Sequence, residues 1–136
     1  MARLTVHDIR SWTFPAGIGV PPPAGRYAHA TAVGATLYVT GQLPVDPGTG
    51  VLVPGGVVEH TQRVLANLFR VLELVGSSPG RVVAARSFLR HESDFAAYDA
   101  VFGEAFPDRL PSRTTVVVAG FAVPGALVEI DLVAAL

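Results

Sequence analysis

The chain has 136 residues, of which 50% are hydrophobic and 15% charged, and its formal net charge at pH 7 is −1. This length suits one domain spanning residues 1–136, and the apolar composition excludes a disordered chain and favours burial between subunits. The near-neutral charge argues against a nucleic-acid partner, which needs a basic face, and the absence of cysteine excludes disulfides and thiolate nucleophiles.

The amino-terminal half is predicted to form strands followed by a long helix. Residues 26–33 and 36–41 are rich in β-forming residues around Gly34-Ala35, which predicts a hairpin, and a further strand is predicted at residues 3–6. From Val57 to Val75, apolar residues recur every three or four positions, which is typical of a helix with one buried face.

The ends of this helix carry their own signals. Glu59 lies in the predicted first turn, where the helix dipole favours an anion, and Gly76 is a suitable carboxyl-terminal stop.

The carboxyl-terminal half predicts a strand at residues 81–90, a helix from Ser93-Asp94 to Pro107, and strands at residues 113–119 and 127–133. The order ββ-α-β-α-ββ predicts an α/β fold in which two helices pack on one face of a mixed sheet. Because no third layer is encoded, we expect another subunit to cover the other face.

Targeting signals are not evident. Residues 1–10 lack the apolar stretch of a secretory signal. The most apolar stretch, residues 115–128, is interrupted by glycine and proline and falls short of the roughly 18 residues of a membrane span. We therefore expect a cytoplasmic protein with no membrane partner.

Two charged residues stand out in the last two predicted strands. Strand alternation places Arg113 and Thr115 on one face of their strand, and Glu129 and Asp131 on one face of the next. If these two strands pair, Arg113 and Glu129 can look out from the same side of the sheet. They would then form either a structural salt bridge or a site in which Arg113 binds a carboxylate and Glu129 orients or deprotonates a water.

Other catalytic patterns are weaker. The four histidines have no metal-ligand spacing, so we expect no metal, and Ser112 does not lie in a Gly-x-Ser-x-Gly elbow. Every basic residue is arginine, which excludes Schiff-base chemistry on lysine. Tyr27 lies at the start of a predicted strand, where its side chain could equally well pack in the core or line a cleft.

Five motifs in chain order resemble the YjgF/RidA family, which also carries the name endoribonuclease L-PSP. They are GRYAHA (residues 25–30), LYVTGQLPVDP (37–47), the helix pattern of residues 61–76, PSRTTV (111–116) and VEID (128–131). The resemblance covers nearly the whole chain from residue 25 to 134.

The resemblance implies a chorismate-mutase-like fold in a homotrimer, with an inner β-barrel and clefts between subunits. The implied activity is hydrolysis of reactive 2-imino and enamino acids to 2-keto acids and ammonia, without any cofactor. A pathway-specific role and a non-catalytic trimer that binds small molecules are the alternatives, and the sequence leaves substrate and pathway open.

The resemblance also implies roles for individual residues. Arg113 looks like the carboxylate-binding arginine and Glu129 like the acid that positions the attacking water. The residues matching substrate-binding positions are Tyr27, Thr40, Gly41, Gln42, Thr115 and Phe95, with Phe88 as a further pocket wall and Asn67 as a structural residue. Thr115 stands where the family often has cysteine and would contact the substrate through its backbone.

Three departures from the family pattern affect the rim of the cleft. Arg26 replaces the usual proline, Thr40 replaces the common serine, and three consecutive prolines (Pro21-Pro22-Pro23) precede the first motif. Substrate preference therefore cannot be transferred from the family.

Overall fold

The computed structural model describes residues 3–136. It has six strands and two helices, which lie where the sequence shows alternating and helical spacing of hydrophobic residues. The elements are β1 (Ile9–Trp12), β2 (Ala30–Val33), β3 (Thr36–Gln42), α1 (Val57–Leu74), β4 (Val82–Leu89), α2 (Phe95–Ala105), β5 (Ser112–Val117) and β6 (Val128–Ala135). The predicted fold class, with two helices on one face of a mixed sheet, is confirmed.

The amino-terminal strand differs from the prediction. Val6–Asp8 form a single 3-10 turn, and the strand follows at Ile9–Trp12. The hydroxyl of Thr5 accepts a hydrogen bond from the backbone N–H of His7, and the carboxylate of Asp8 accepts one from the backbone N–H of Thr5. This reciprocal cap satisfies the backbone locally, so residues 3–6 do not join the sheet.

The sheet has the order β1-β2-β3-β6-β4-β5, in which only β4 and β5 are parallel. The last two strands, whose pairing would place Arg113 and Glu129 on the same side, do not pair, because β4 lies between them. Helix α2 provides the long crossover that two parallel neighbours require, and this leaves β5 at the edge. The central strand β6 buries alternate residues, among them Ile130 and Leu132.

Helix α1 packs its apolar face on β3, β6 and α2. Its buried residues recur at helical spacing, and they include Val64, Leu68 and Val71 with no exposed surface. The backbone N–H of Gly56 donates to Glu59 at 2.9 Å at the start of the helix. Gly76, with φ of 85°, ends it and allows the N–H of Ser77 to reach the carbonyl of Leu72 at 2.8 Å.

The opposite face of the sheet carries no helix. We call it the open face; residues on it include Tyr38, Arg86, Val116, Glu129, Asp131 and Val133. Tyr38 is 49% exposed and Val116 is 44% exposed, so this chain alone leaves apolar groups in water. Within residues 3–136, neither helix combines the length and apolar character needed to cross a membrane.

Asn67 anchors the long loop between β3 and α1. It is fully buried, and its amide nitrogen donates to the carbonyl of Val45 at 2.9 Å and to that of Leu43 at 3.4 Å. This geometry supports the structural role expected of Asn67 and fixes the loop that follows Gly41 and Gln42.

We expect Asn67→Ala to lower the free energy of unfolding by about 1–3 kcal/mol, because it leaves the partly buried Val45 carbonyl without its donor. Denaturant unfolding would measure the change. Gln62→Ala, at an exposed position of the same helix, is the control and should change the unfolding free energy by less than about 0.5 kcal/mol. Equal losses in both variants would refute the anchoring role.

Candidate functional site

Arg113 lies on edge strand β5 and points towards the helices. Its register partner is Ala85, which belongs to the core. The guanidinium carbon lies 4.7 Å from the ring centre of Phe102, 5.1 Å from that of Tyr98 and 5.8 Å from that of Phe95. These three cation–π contacts hold the Arg113 guanidinium in place without using its N–H donors.

An acidic side chain of α2 completes the surroundings of Arg113. The acidic residue is Asp99: Nη2 of Arg113 donates to its Oδ1 at 2.6 Å. The side chain of Arg113 is 19% exposed and that of Asp99 is 49% exposed. No other hydrogen bond of this guanidinium forms within residues 3–136. The remaining N–H donors therefore stay available to a ligand.

Thr115 lies two residues further along the same face of β5. Its hydroxyl is next to the buried hydroxyl of Tyr98, which donates to Oγ of Ser87. Burial raises the pKa of Tyr98, while its hydrogen bond to Ser87, the nearby Thr115 hydroxyl and the charge of Arg113 act in the opposite direction. Tyr98 is thus a neutral phenol that ties α2 to the sheet beneath Arg113.

Glu129 lies on the open face, in central strand β6. Burial raises the pKa of its partly buried carboxyl, and the negative charge of Asp131 raises it further. Asp131 is itself paired with Arg86, whose Nη2 donates to Oδ2 at 2.7 Å and whose Nε donates to Oδ1 at 3.0 Å. Within the described chain Glu129 forms no ion pair, so its carboxylate is a relatively basic group with no competing cation.

The expectation that Arg113 and Glu129 look out from the same side is wrong for a single chain. Arg113 pairs with Ala85, and Glu129 pairs with Phe88 of the same strand β4. Ala85 and Phe88 are an odd number of residues apart, and strand side chains alternate, so the two charged groups point to opposite faces. They can act on one molecule only if they come from different protomers.

Gly41 lies against the Glu129 carboxylate. A methyl group at position 41 would overlap Oε1 of Glu129 and lie 3.2 Å from its carboxyl carbon. The pairing of β3 with β6 shifts register between Val39 and Gln42, which brings this backbone close to the acid. Only glycine leaves room for the carboxylate there.

Three adjoining cavities meet at Gly41. A groove of about 660 Å³ on the open face includes Tyr27, Thr40 and Asp131. A cavity of about 330 Å³ includes Glu129 and Phe88. A third, of about 290 Å³, is walled by Pro21 to Pro23, Tyr27, Gln42 and Val123, and its walls are mostly apolar. The cavity that holds Glu129 thus adjoins, at Gly41, both the open groove and the apolar pocket.

His29 holds the proline wall of this pocket. It is fully buried; its Nδ1 accepts from the backbone N–H of Phe14 at 3.0 Å, and its Nε2 lies 2.7 Å from the carbonyl of Pro21. The first contact makes Nδ1 the acceptor, so Nε2 carries the proton and donates to Pro21. The backbone N–H of Ala24 donates to the Tyr27 hydroxyl at 2.9 Å, which fixes that ring at the mouth.

The residues expected in one site therefore form two groups. The arginine group, near α2 and β5, contains Arg113, Thr115 and Phe95. The acid group, near Gly41, contains Glu129, Gly41, Thr40, Tyr27 and Gln42, with Phe88 beside it. Within residues 3–136, no set of three or more histidine, aspartate or glutamate side chains is arranged to hold a metal ion.

Sequence reasoning missed Asp99 and the clamp made by His29. An aspartate on the largely apolar helix α2 was the available signal for Asp99. His29 had no comparable signal, because its partners Phe14 and Pro21 are distant from it in sequence and not distinctive in type.

Comparison with known proteins shows a consistent relationship. The sequence pattern of the family described as Endoribonuclease L-PSP matches residues 18–136. A 2-iminobutanoate/2-iminopropanoate deaminase of Capra hircus is 39% identical over 115 residues, covering 84% of this chain and 82% of the relative. A RutC family protein of Pyrococcus abyssi is 37% identical over 114 residues, covering 84% and 89% of the two chains.

Solved structures show the same relationship. The crystal structure of RidA from the Antarctic bacterium Psychrobacter superposes with a TM-score of 0.86 at 31% sequence identity, covering 93% of this chain and 100% of the other.

We expect Gly41→Ala to displace the Glu129 carboxylate and to cost about 1–3 kcal/mol of stability, because the new methyl group overlaps it. The carboxyl ¹³C signal of Glu129 and denaturant unfolding would report the two effects. Gly103→Ala, in α2 with no atom near the added methyl group, should instead be stabilising by about 0.4–1 kcal/mol. An unshifted Glu129 signal in Gly41→Ala would contradict the close approach.

Proposed function

The chain belongs to the Endoribonuclease L-PSP family, also called YjgF/RidA, and from this premise we propose that it hydrolyses 2-imino acids and their enamine tautomers to 2-keto acids and ammonia. The observation that carries the proposal is the separation of a ring-stacked arginine and a basic carboxylate onto opposite faces of one sheet. Each group is half of the chemistry that a 2-imino acid requires.

We further propose that the two groups meet at clefts between the subunits of a homotrimer. Glu129 lies on an open face that exposes apolar residues, and Arg113 lies on the edge strand β5. Association of identical chains covers an exposed apolar face and also pairs an edge with a neighbour. Contact between the β5 edge of one protomer and the open face of the next would bring Arg113 near Glu129.

The chemistry follows from the atoms of the substrate. A 2-imino acid has a carboxylate bonded to an electrophilic C=N carbon. Arg113 binds the carboxylate through its free N–H donors and so orients that carbon. Glu129 in its ionised form accepts a proton from water as the water oxygen bonds to the carbon of the protonated imine. The C=N electron pair moves to nitrogen, which gives a tetrahedral carbinolamine.

Collapse of the carbinolamine completes the reaction. The Glu129 carboxyl returns its proton to the amino nitrogen, and its carboxylate then accepts the hydroxyl proton as the C=O bond forms, the C–N bond breaks and ammonia leaves. The ammonia takes this proton from Glu129 and departs as ammonium, which restores the carboxylate. An enamine substrate first takes up a proton from solvent at carbon, which gives the protonated imine. The protonated imine is already strongly electrophilic, so orientation and one proton acceptor are sufficient assistance.

The apolar pocket beside Gly41 is suited to the substrate side chain. Its walls are Tyr27, Val123 and the proline segment, and Gln42 and His29 are the polar residues that line it. With His29 already hydrogen-bonded, this pocket favours uncharged side chains over charged ones, since burying a charge without a partner is costly.

The arrangement predicts complementation between inactive variants. Arg113→Ala and Glu129→Gln should each lower kcat/KM for keto-acid release from an imine made in situ by an amino-acid oxidase by about 100-fold, through lost orientation or lost proton transfer. Co-expressed, they should regain about a quarter of the wild-type activity, because in random assembly about one interface in four joins an intact Arg113 to an intact Glu129.

A mixture of Arg113→Ala with Arg113→Gln is the matched control and should regain nothing, because every interface then lacks the arginine. A solution mass of 14.2 kDa, that of one chain, would contradict the assembly. Full activity of Arg113→Ala would overturn the proposed function, and carboxylate binding without turnover would favour a binding trimer.

The raised pKa of Glu129 predicts the pH dependence. Because the ionised carboxyl is the proton acceptor, kcat/KM should rise as pH increases through the Glu129 pKa, which lies above its ordinary value of 4.5, and then level off. Asp131→Asn removes a negative charge that raises this pKa, so it should move the acidic limb to lower pH.

Rates measured from pH 4 to 8 with excess oxidase would test the shift. Asp108→Asn, at an exposed position, controls for the change in net charge and should leave the limb in place. An unmoved limb in Asp131→Asn would contradict the assignment of the limb to Glu129.

A further inference from the structure

The arginine proposed to bind the substrate carboxylate already faces a carboxylate of its own chain. Oδ1 of Asp99 accepts from Nη2 of Arg113 at 2.6 Å. Asp99 is half-exposed, whereas Arg113 is largely enclosed by aromatic rings. The aspartate therefore reaches the guanidinium from the solvent side, which is also the direction from which a ligand arrives.

We propose that Asp99 is a positioning residue that keeps Arg113 in place and at the same time weakens its hold on carboxylates, so that the 2-keto acid product leaves readily. This inference rests on the proposed function, since it assumes that Arg113 binds the carboxylate of substrate and product.

The geometry explains both effects. Three stacked rings on one side and Asp99 on another leave the guanidinium little freedom to rotate. Arginine has five N–H donors in a planar fork, and the contact with Asp99 leaves others free for a ligand. An incoming carboxylate thus binds beside Asp99, and the two negative groups repel each other across the guanidinium they share.

Substrate and product present the same carboxylate next to a trigonal carbon. Asp99 therefore weakens both to a similar extent, and this uniform effect changes KM and product inhibition together while leaving the bond-making step alone. A merely structural contact would change stability without linking these two constants.

Asp99→Asn tests the proposal because it removes the charge and keeps an oxygen that can accept from Arg113. We expect KM for the in situ imine and the inhibition constant of 2-oxobutanoate to fall together by about two- to fivefold, the range for a partly exposed charge pair, and kcat not to rise. Asp99→Glu restores the charge and should return both constants towards the wild-type values.

Glu104→Gln is the matched control, because Glu104 is an exposed acid on the same helix and should leave both constants unchanged. Unchanged or raised constants in Asp99→Asn, or an equal fall in Asp99→Glu or in Glu104→Gln, would overturn the proposal.

Calorimetric binding of 2-oxobutanoate separates this inference from the proposed function. If the wild-type protein released no ammonia from any imine, the proposed function would fail, and binding of this keto acid to wild type and Asp99→Asn would still test Asp99. If the wild type is active and Asp99→Asn binds no more tightly, only the role of Asp99 is lost.

Discussion

Alternation of side chains across the sheet is the constraint on which the proposed site depends. Because β4 lies between β5 and β6, and Arg113 and Glu129 pair with β4 residues of opposite orientation, one chain cannot bring its own arginine and acid together. In the proposed function, Arg113 and Glu129 are two halves of a site that a second copy of the chain joins. Under that proposal oligomerisation serves the chemistry and also stabilises the fold.

The two charged groups are stabilised by different means, and each suits a different task. Arg113 is surrounded by aromatic rings that enclose its charge while leaving N–H donors free. Glu129 is partly buried beside a second acid, which favours proton uptake. Arg86 neutralises Asp131 and so limits the negative charge on the open face. The proposed function thus assigns binding and proton transfer to separate environments.

Backbone features hold the acid group. The shift in register in β3 and the missing side chain of Gly41 let Glu129 approach the chain closely. Buried Asn67 fixes the loop beyond it through the Val45 carbonyl, and buried His29 fixes the proline segment. Both side chains hydrogen-bond backbone carbonyls, which gives directional restraint in a core made mostly of aliphatic and aromatic residues.

The sequence by itself determined the element order, the buried face of α1 and both of its ends, because hydrophobic spacing, Glu59 and Gly76 are local signals. Its motifs also identified the family and therefore most of the residues around Gly41. Only the tertiary structure shows which elements and side chains are adjacent. It places β4 between the last two strands, Arg113 and Glu129 on opposite faces of the sheet, and Asp99 in contact with Arg113. These outcomes depend on pairings between residues distant along the chain, and alternation within one strand says nothing about which strand lies beside it.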